Sequence, residues 1–125
     1  MIDMEWATAF AAEWIDAWNA GDLERILSHY ADDFEMTSPY IVERMGIASG
    51  TLKGKEAIRS YWAQALSGSP ALRFELLDVL AGVNSLAIYY RSVTRGRLVI
   101  ERVEFDPQRR VIRGEALYKS EGNSN

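Results

Sequence analysis

Residues Arg97 to Asp106 read RLVIERVEFD. Counted in twos, Val99, Glu101, Val103 and Phe105 share one side, and Leu98, Ile100, Arg102 and Glu104 share the other. Alternation with that period predicts a β-strand with one face toward a core. The inner row is apolar except for Glu101. A carboxylate taken out of water without a partner is costly, so such a group finds a counter-charge or stays protonated with a raised pKa.

Working outward, the flanking segments predict a register. Arg95-Gly96 lies between two strand-like runs and fits a two-residue hairpin loop. That loop would set Thr94 opposite Arg97, Ser92 opposite Val99, Tyr90 opposite Glu101 and Ile88 opposite Val103. After the strand, Asp106-Pro107-Gln108-Arg109 is a turn signal. A four-residue or a two-residue loop there places Gly114 opposite Glu101, with Ile112 and Ala116 on the same face; an odd-length loop would reverse the parity. A carboxylate, a phenol and the volume left by Gly114 and Ala116 together predict a pocket above the sheet.

The chain of 125 residues, 48% hydrophobic and 26% charged, is ordinary for one globular domain covering 1–125. Its net charge of −4 is spread without a basic run, which disfavours nucleic acid as a partner. No apolar run approaches the roughly 18 residues of a membrane span. The start, MIDMEWATAF, lacks the basic n-region of a signal peptide, so the expected location is cytoplasmic. Without Cys there is no disulfide, thiol nucleophile or thiolate metal site. A single His among scattered carboxylates has no metal-ligand spacing, and no cofactor is expected.

Before the central strand, Trp6, Phe10, Trp14 and Trp18, with Ala7, Ala11 and Ile15, recur at three- and four-residue spacing and predict an amphipathic helix over residues 3–20. Gly21 ends it, Asp22 caps the next, and LERILSHY makes a short second helix. Phe34 to Tyr40 reads as a short strand halted by Pro39. Ile41 to Gly54, with Gly46, Gly50 and Gly54, has no period and reads as an irregular covering loop. GKEAIRSYWAQAL, 54–66, is a third helix with Ala57, Ile58, Tyr61, Trp62 and Ala65 on one side. Strands are expected over 72–80, 85–94, 98–105 and 111–118, and the closing KSEGNSN is polar and expected to fray. Helices first and meandering strands last form an α+β pattern.

The run AWNAGDLERILSHYADDFEMTSP, then GKEAIRSYW, then four strands ending in FDPQRRVIRGEALY, resembles the nuclear transport factor 2-like superfamily, nearest to its SnoaL-like and ketosteroid-isomerase-like members. The likeness covers nearly the whole chain. It implies a cone-shaped, cystatin-like fold: three helices of the N-terminal half on a curved, mostly antiparallel sheet, a deep apolar pocket, and a homodimer through the outer sheet face. Its known members include isomerases, dehydratases, cyclases and epoxide hydrolases. Several family residues are absent. Ser38 stands where ketosteroid isomerases carry their catalytic Asp, and serine does not serve as that proton-shuttling base. The oxyanion-binding Tyr of the first helix falls on Trp14. Two further tyrosines fall on Tyr30, kept, and Trp62, changed. The second acid of that family matches Glu101, and the last-strand Asp of the cyclases and epoxide hydrolases falls near Ala116. The ketosteroid isomerase mechanism is therefore disfavoured.

Glu101 reads as an acid/base facing the pocket, as a structural carboxylate paired with an Arg, or as one at the sheet rim reaching water. Tyr90, Tyr30 and Tyr118 read as hydrogen-bonding groups of the pocket or as core aromatics with a polar tip. Trp14, Trp18 and Trp62 form an apolar wall or plain helix-to-sheet packing. Phe34, Met36, Val99, Val103, Gly114 and Ala116 complete the expected lining, with Ser38 as a polar residue there. His29 suits a helix C-terminus, and Asp32-Asp33 suits a turn. Leu98, Ile100, Arg102 and Glu104, with Tyr89 and Ala87, form the mixed outer face expected to pair two copies. The expectation is a small-molecule pocket for an apolar ligand: an isomerase, dehydratase or cyclase using Glu101 with Tyr90 and Tyr30, or a module that binds without converting; the third reading is a dimeric domain with no ligand, its cavity filled by its own side chains.

Overall fold

Both ends of the first helix are set by short-range chemistry. In the structure, a computed structural model that describes residues 1–120, α1 spans Met4–Ala20. Residues 121–125, the greater part of the polar tail expected to fray, lie outside the described residues. The Asp3 carboxylate accepts from the Glu5 amide at 3.3 Å. At the other end Gly21 takes φ 65°, where a side chain would be strained, and its amide donates to Trp18 O at 3.0 Å. Asp22 then caps α2 (Leu23–Leu27) by accepting from the Arg25 amide at 3.2 Å.

The chain continues through β1 (Tyr30–Thr37), α3 (Pro39–Met45), β2 (Thr51–Lys53), α4 (Lys55–Leu66), β3 (Phe74–Ala81), β4 (Ser85–Ser92), β5 (Arg97–Phe105) and β6 (Val111–Tyr118). The strands form one sheet in the order β2-β1-β6-β5-β4-β3. Only β1 and β6 run parallel; the other neighbours are antiparallel. The result is an α+β fold whose helices lie in the N-terminal half against a curved, open sheet. Irregular pairings in β1, β3 and β5–β6 interrupt the ladder, and such bulges bend a strand.

Residues 41–54 are not an irregular loop. They hold most of α3 and all of β2, so the described residues form four helices where three were expected, and the first strand starts at Tyr30 rather than Phe34. Ser38-Pro39 is the overlooked signal. The Ser38 hydroxyl accepts from the Tyr40 amide at 3.2 Å, while Pro39 enters at the first helical turn, where a missing N–H is harmless.

The central register also differs from expectation, by two residues on each side. The β4–β5 loop has four residues, Val93 to Gly96, because Ser92 pairs with Arg97. Ile88 rather than Tyr90 faces Glu101, and Tyr90 faces Val99. On the other side Ala116 rather than Gly114 faces Glu101, and Gly114 faces Val103. Here the loop is odd: Phe105 pairs with Val111 around five residues, held by Asp106, whose carboxylate accepts from Gln108 and Arg110 amides at 2.9 Å each. A bulge at Ile112 restores the parity that this loop reverses, so Val111, Gly114 and Ala116 point inward and Ile112 does not.

The core lies between α1, α4 and the inner sheet face. At one end Phe10 and Trp6 pack on Phe105, each edge to face. At the other, Trp14, Phe74 and Tyr90 cluster, with the Phe74 and Tyr90 rings 4.5 Å apart. Asn19 fastens α1 to the start of β3: its amide donates to Phe74 O at 2.9 Å, and its carbonyl accepts from Phe74 N at 2.7 Å. Asn19→Ala removes both bonds at once, and urea unfolding should show a loss of about 1–3 kcal/mol at unchanged slope. A loss under about 0.5 kcal/mol would mean that the clasp is replaced by water at no net cost.

Candidate functional site

Alternation along β5 turns Val99, Glu101, Val103 and Phe105 inward, as its sequence predicts. Glu101 is 4% exposed. Among the described residues nothing hydrogen-bonds to or forms an ion pair with its carboxylate, so neither the Arg pairing nor the Tyr90 contact considered from sequence is present. Burial alone pushes its pKa up to about 8. The group is therefore mostly a neutral acid near pH 7.

Space for that acid comes from small residues on β6. Ala116 stands opposite it. A Cβ added at Gly114 would lie 3.8 Å from the Glu101 Oε2 atom and 3.4 Å from the Met36 sulfur. Glu101 opens into a hollow of about 50 Å³. Since one water needs about 10–15 Å³ on this measure, the hollow holds a few water-sized groups, well short of the roughly 300 Å³ of a drug-sized pocket.

Nine of the residues expected to form the site line this hollow: Trp14, Trp18, Met36, Ser38, Trp62, Tyr90, Glu101, Ala116 and Tyr118. Five others lie behind it. Tyr30 is fully buried, and its hydroxyl accepts from Trp14 Nε1 at 3.0 Å. Phe34 packs on Tyr30 at 4.5 Å. Val99 and Val103 are inward-facing core residues, and Gly114 sits beneath Met36 and Glu101. Tyr61, Ala65, Leu72, Phe74 and Arg95 line the hollow without having been singled out from sequence. Tyr61 and Ala65 belong to the inner face of α4 expected from sequence, although Ala57, expected on the same face, is exposed. Arg95 was hidden by the miscounted hairpin, because a two-residue turn leaves its side chain no particular target.

Burial raises the phenol pKa values of Tyr90, Tyr118, Tyr30 and Tyr61, and the nearby Glu101 charge raises each further. Arg95 opposes this at Tyr61, Tyr90 and Tyr118, as does the Ser38 hydroxyl at Tyr61. All four phenols stay protonated. The Tyr90 hydroxyl, like the Glu101 carboxyl, makes no hydrogen bond to any described residue, and the Trp18 Nε1–H is buried without an acceptor. The hollow therefore presents a neutral carboxyl and a phenol as proton donors, inside walls of indole and phenyl rings. Trp18 meets Trp62 edge to face at 5.1 Å, and Trp62 meets Tyr30 likewise at 5.1 Å.

The remaining polar candidates lie elsewhere. His29 does not cap its helix through its ring; Nε2 lies 3.1 Å from Glu13 Oε2. Arg25 grips the same carboxylate at 2.6 and 2.8 Å and holds its pKa down to about 2. Asp32 and Asp33 are exposed in the irregular part of β1 rather than in a turn, and Asp32 pairs with Lys55 at 3.5 Å. No helix among the described residues is long and apolar enough to cross a membrane.

Comparison with known proteins places this geometry in a family. A model of the SnoaL-like domain matches residues 11–122. A SnoaL-like protein of unknown function from Burkholderia thailandensis is 52% identical, with 95% of this chain and 98% of that one covered and a TM-score of 0.91. Two nuclear transport factor 2-like proteins of unknown function share the fold at lower identity. One, from Burkholderia xenovorans, is 17% identical over 97% and 89% of the two chains (TM-score 0.72). The other, from Cytophaga hutchinsonii, is 10% identical over 90% and 89% (TM-score 0.69). No match was found among curated proteins. With a bent sheet, helices from the N-terminal half and a family model spanning most of its length, the chain belongs to the SnoaL-like family of the nuclear transport factor 2-like superfamily.

Proposed function

We propose that this protein is an acid/base enzyme for a small, largely apolar substrate, an isomerase, dehydratase or cyclase in which Glu101 moves the proton without a cofactor. The observation that carries this reading is the unpaired, buried carboxyl of Glu101 at the wall of an aromatic hollow. A carboxylic acid with a pKa close to the working pH exchanges a proton readily in either direction. Tyr90 is the second donor, suited to an oxygen on which negative charge develops. Tyr30 acts one layer out: through Trp14 it steadies the wall. Ser38 takes no proton in this scheme, since its oxygen already caps α3.

The rival reading is a binding module that holds its ligand unchanged. Its support is the small volume of the hollow. Solvent-deuterium incorporation into a panel of small carbonyl compounds, followed by NMR, separates the two. Glu101→Gln should keep the fold and ligand affinity yet lose turnover by about 10²–10⁴-fold. Full activity in that variant would remove Glu101 from the chemistry; no incorporation by the native protein with ligand still bound would favour the module.

The pKa of Glu101 also predicts a pH dependence of stability. The folded value lies above the unfolded one, so the folded state prefers the proton. Stability from this group is complete below about pH 4.5 and is lost as pH rises through about 8. Glu101→Gln, which cannot ionise, should flatten that alkaline decline, becoming more stable relative to the native protein at pH 9 than at pH 5. Parallel melting-temperature profiles for the two proteins would contradict the assigned titration.

We further propose that two copies pair through the outer sheet face. Tyr89, Leu98, Ile100 and Leu117 border a shallow depression of about 290 Å³ there, and Leu117 is 46% exposed. Glu104 bridges Arg113 at 3.3 Å and Arg102 at 3.9 Å beside it. Light scattering should give twice the chain mass of 14.1 kDa, falling to one chain in Leu117→Glu. A native monomer at tens of micromolar would refute the pairing.

A further inference from the structure

The hollow has a second pole. Arg95 lines it from the β4–β5 loop, half-buried, while Glu101 lies deep on β5. The Arg95 guanidinium lies 4.3 Å from the centre of the Tyr40 ring, and one nitrogen reaches the Tyr118 hydroxyl at 3.4 Å. A guanidinium stacked on a ring keeps its edges free for acceptors in its own plane. Among the described residues no carboxylate takes that place. Arg25, Arg59, Arg91, Arg102 and Arg113 all pair with a Glu, whereas Arg95 does not. Arg44, Arg73, Arg109 and Arg110 also have no carboxylate partner among the described residues, but only Arg95 lines the hollow.

Its surroundings hold it in position. Arg97 donates to the Tyr40 hydroxyl at 3.3 Å and to Lys119 O at 2.9 Å, and its guanidinium lies 4.9 Å from the Tyr118 ring centre. Tyr40 and Tyr118 meet edge to face at 4.9 Å. Arg44, exposed on α3, lies 5.1 Å from the same Tyr40 ring and adds positive charge. Arg95 thus rests on two tyrosines that a neighbouring arginine fixes. Its charge also acts on Tyr61, Tyr90 and Tyr118, three phenols at the hollow.

We propose that Arg95 receives the carboxylate of a small organic acid whose apolar body lies against the tryptophans and whose far end meets Glu101 and Tyr90. The planar fork of a guanidinium matches the two oxygens of a carboxylate, and the limited volume restricts the body to a few carbon atoms unless side chains move. This rests on the acid/base reading above and narrows its substrates to monoanions. Neutral Glu101 suits such a ligand, because a second negative charge at the inner end would repel it.

The test uses acid and amide pairs of matched shape: butyrate and butyramide, benzoate and benzamide, phenylacetate and phenylacetamide. Affinities come from amide chemical-shift titrations near neutral pH. At least one acid should bind about 10-fold or more tightly than its amide, as a charge-assisted bond predicts. Arg95→Met should abolish that preference while leaving amide affinity unchanged, and Arg95→Lys should restore part of it. Glu101→Gln should keep the preference, which separates this proposal from the catalytic one: loss of acid selectivity in Arg95→Met and loss of turnover in Glu101→Gln are independent results. The proposal is overturned if no acid binds better than its amide or if the preference survives Arg95→Met. Inorganic phosphate competing as well as the best acid would also overturn it, marking a general anion patch.

Discussion

Desolvation of one carboxyl group governs this molecule. Glu101 lies on a strand whose other inward residues are Val99, Val103 and Phe105, and no cation or hydrogen-bond donor among the described residues offsets its burial. A pKa moved from 4.5 to about 8 means that the folded protein disfavours the anion by several kcal/mol. That penalty is a sizeable share of the marginal stability of a domain. A structural role would call for a paired or apolar side chain at this position. The proton transfer proposed above rests on this unpaired acid.

The shape of the site follows from where volume is withheld. Gly114 and Ala116 leave room beside Glu101, while Trp14, Trp18 and Trp62 fill the helix side. The inward position of the two small residues depends on a compensation. The five-residue turn after β5 reverses the phase of β6, and the bulge at Ile112 reverses it again. Without that bulge, strict alternation from the inward Val111 would turn Arg113 into the core and Gly114 outward. Backbone irregularity and cavity are therefore the same feature seen at two scales.

Charge is distributed along the hollow in a definite order. Arg95, steadied by Tyr40 and Tyr118, supplies a cation from the hairpin, and Glu101 supplies a neutral acid on the sheet. The phenols between them remain protonated because burial opposes their ionisation. A ligand with one anionic end and one reacting end would find complementary surroundings at both. The Ser38 oxygen is committed to the first turn of α3, where it accepts from the Tyr40 amide.

Much was legible from the chain alone, and for local reasons. Period-two alternation in RLVIERVEFD turned Glu101 inward, the stripe of Trp14 and Trp18 marked α1, and Gly21 and Asp22 set the first helix boundary. Apart from Ile112, the inward and outward faces of β4, β5 and β6 match the alternation of the sequence, because each difference in register is even or is cancelled by a bulge. Tertiary structure decided what depends on loop length and on groups distant in sequence. It placed Ile88 and Ala116, rather than Tyr90 and Gly114, beside Glu101. It buried Tyr30 behind Trp14, made a helix of Pro39–Met45, and carried Arg95 to the cavity wall. Alternation is a property of neighbouring residues and can be read from the sequence. Which side chains meet across a sheet depends on how many residues each turn consumes, and that was settled only when the whole sheet was paired.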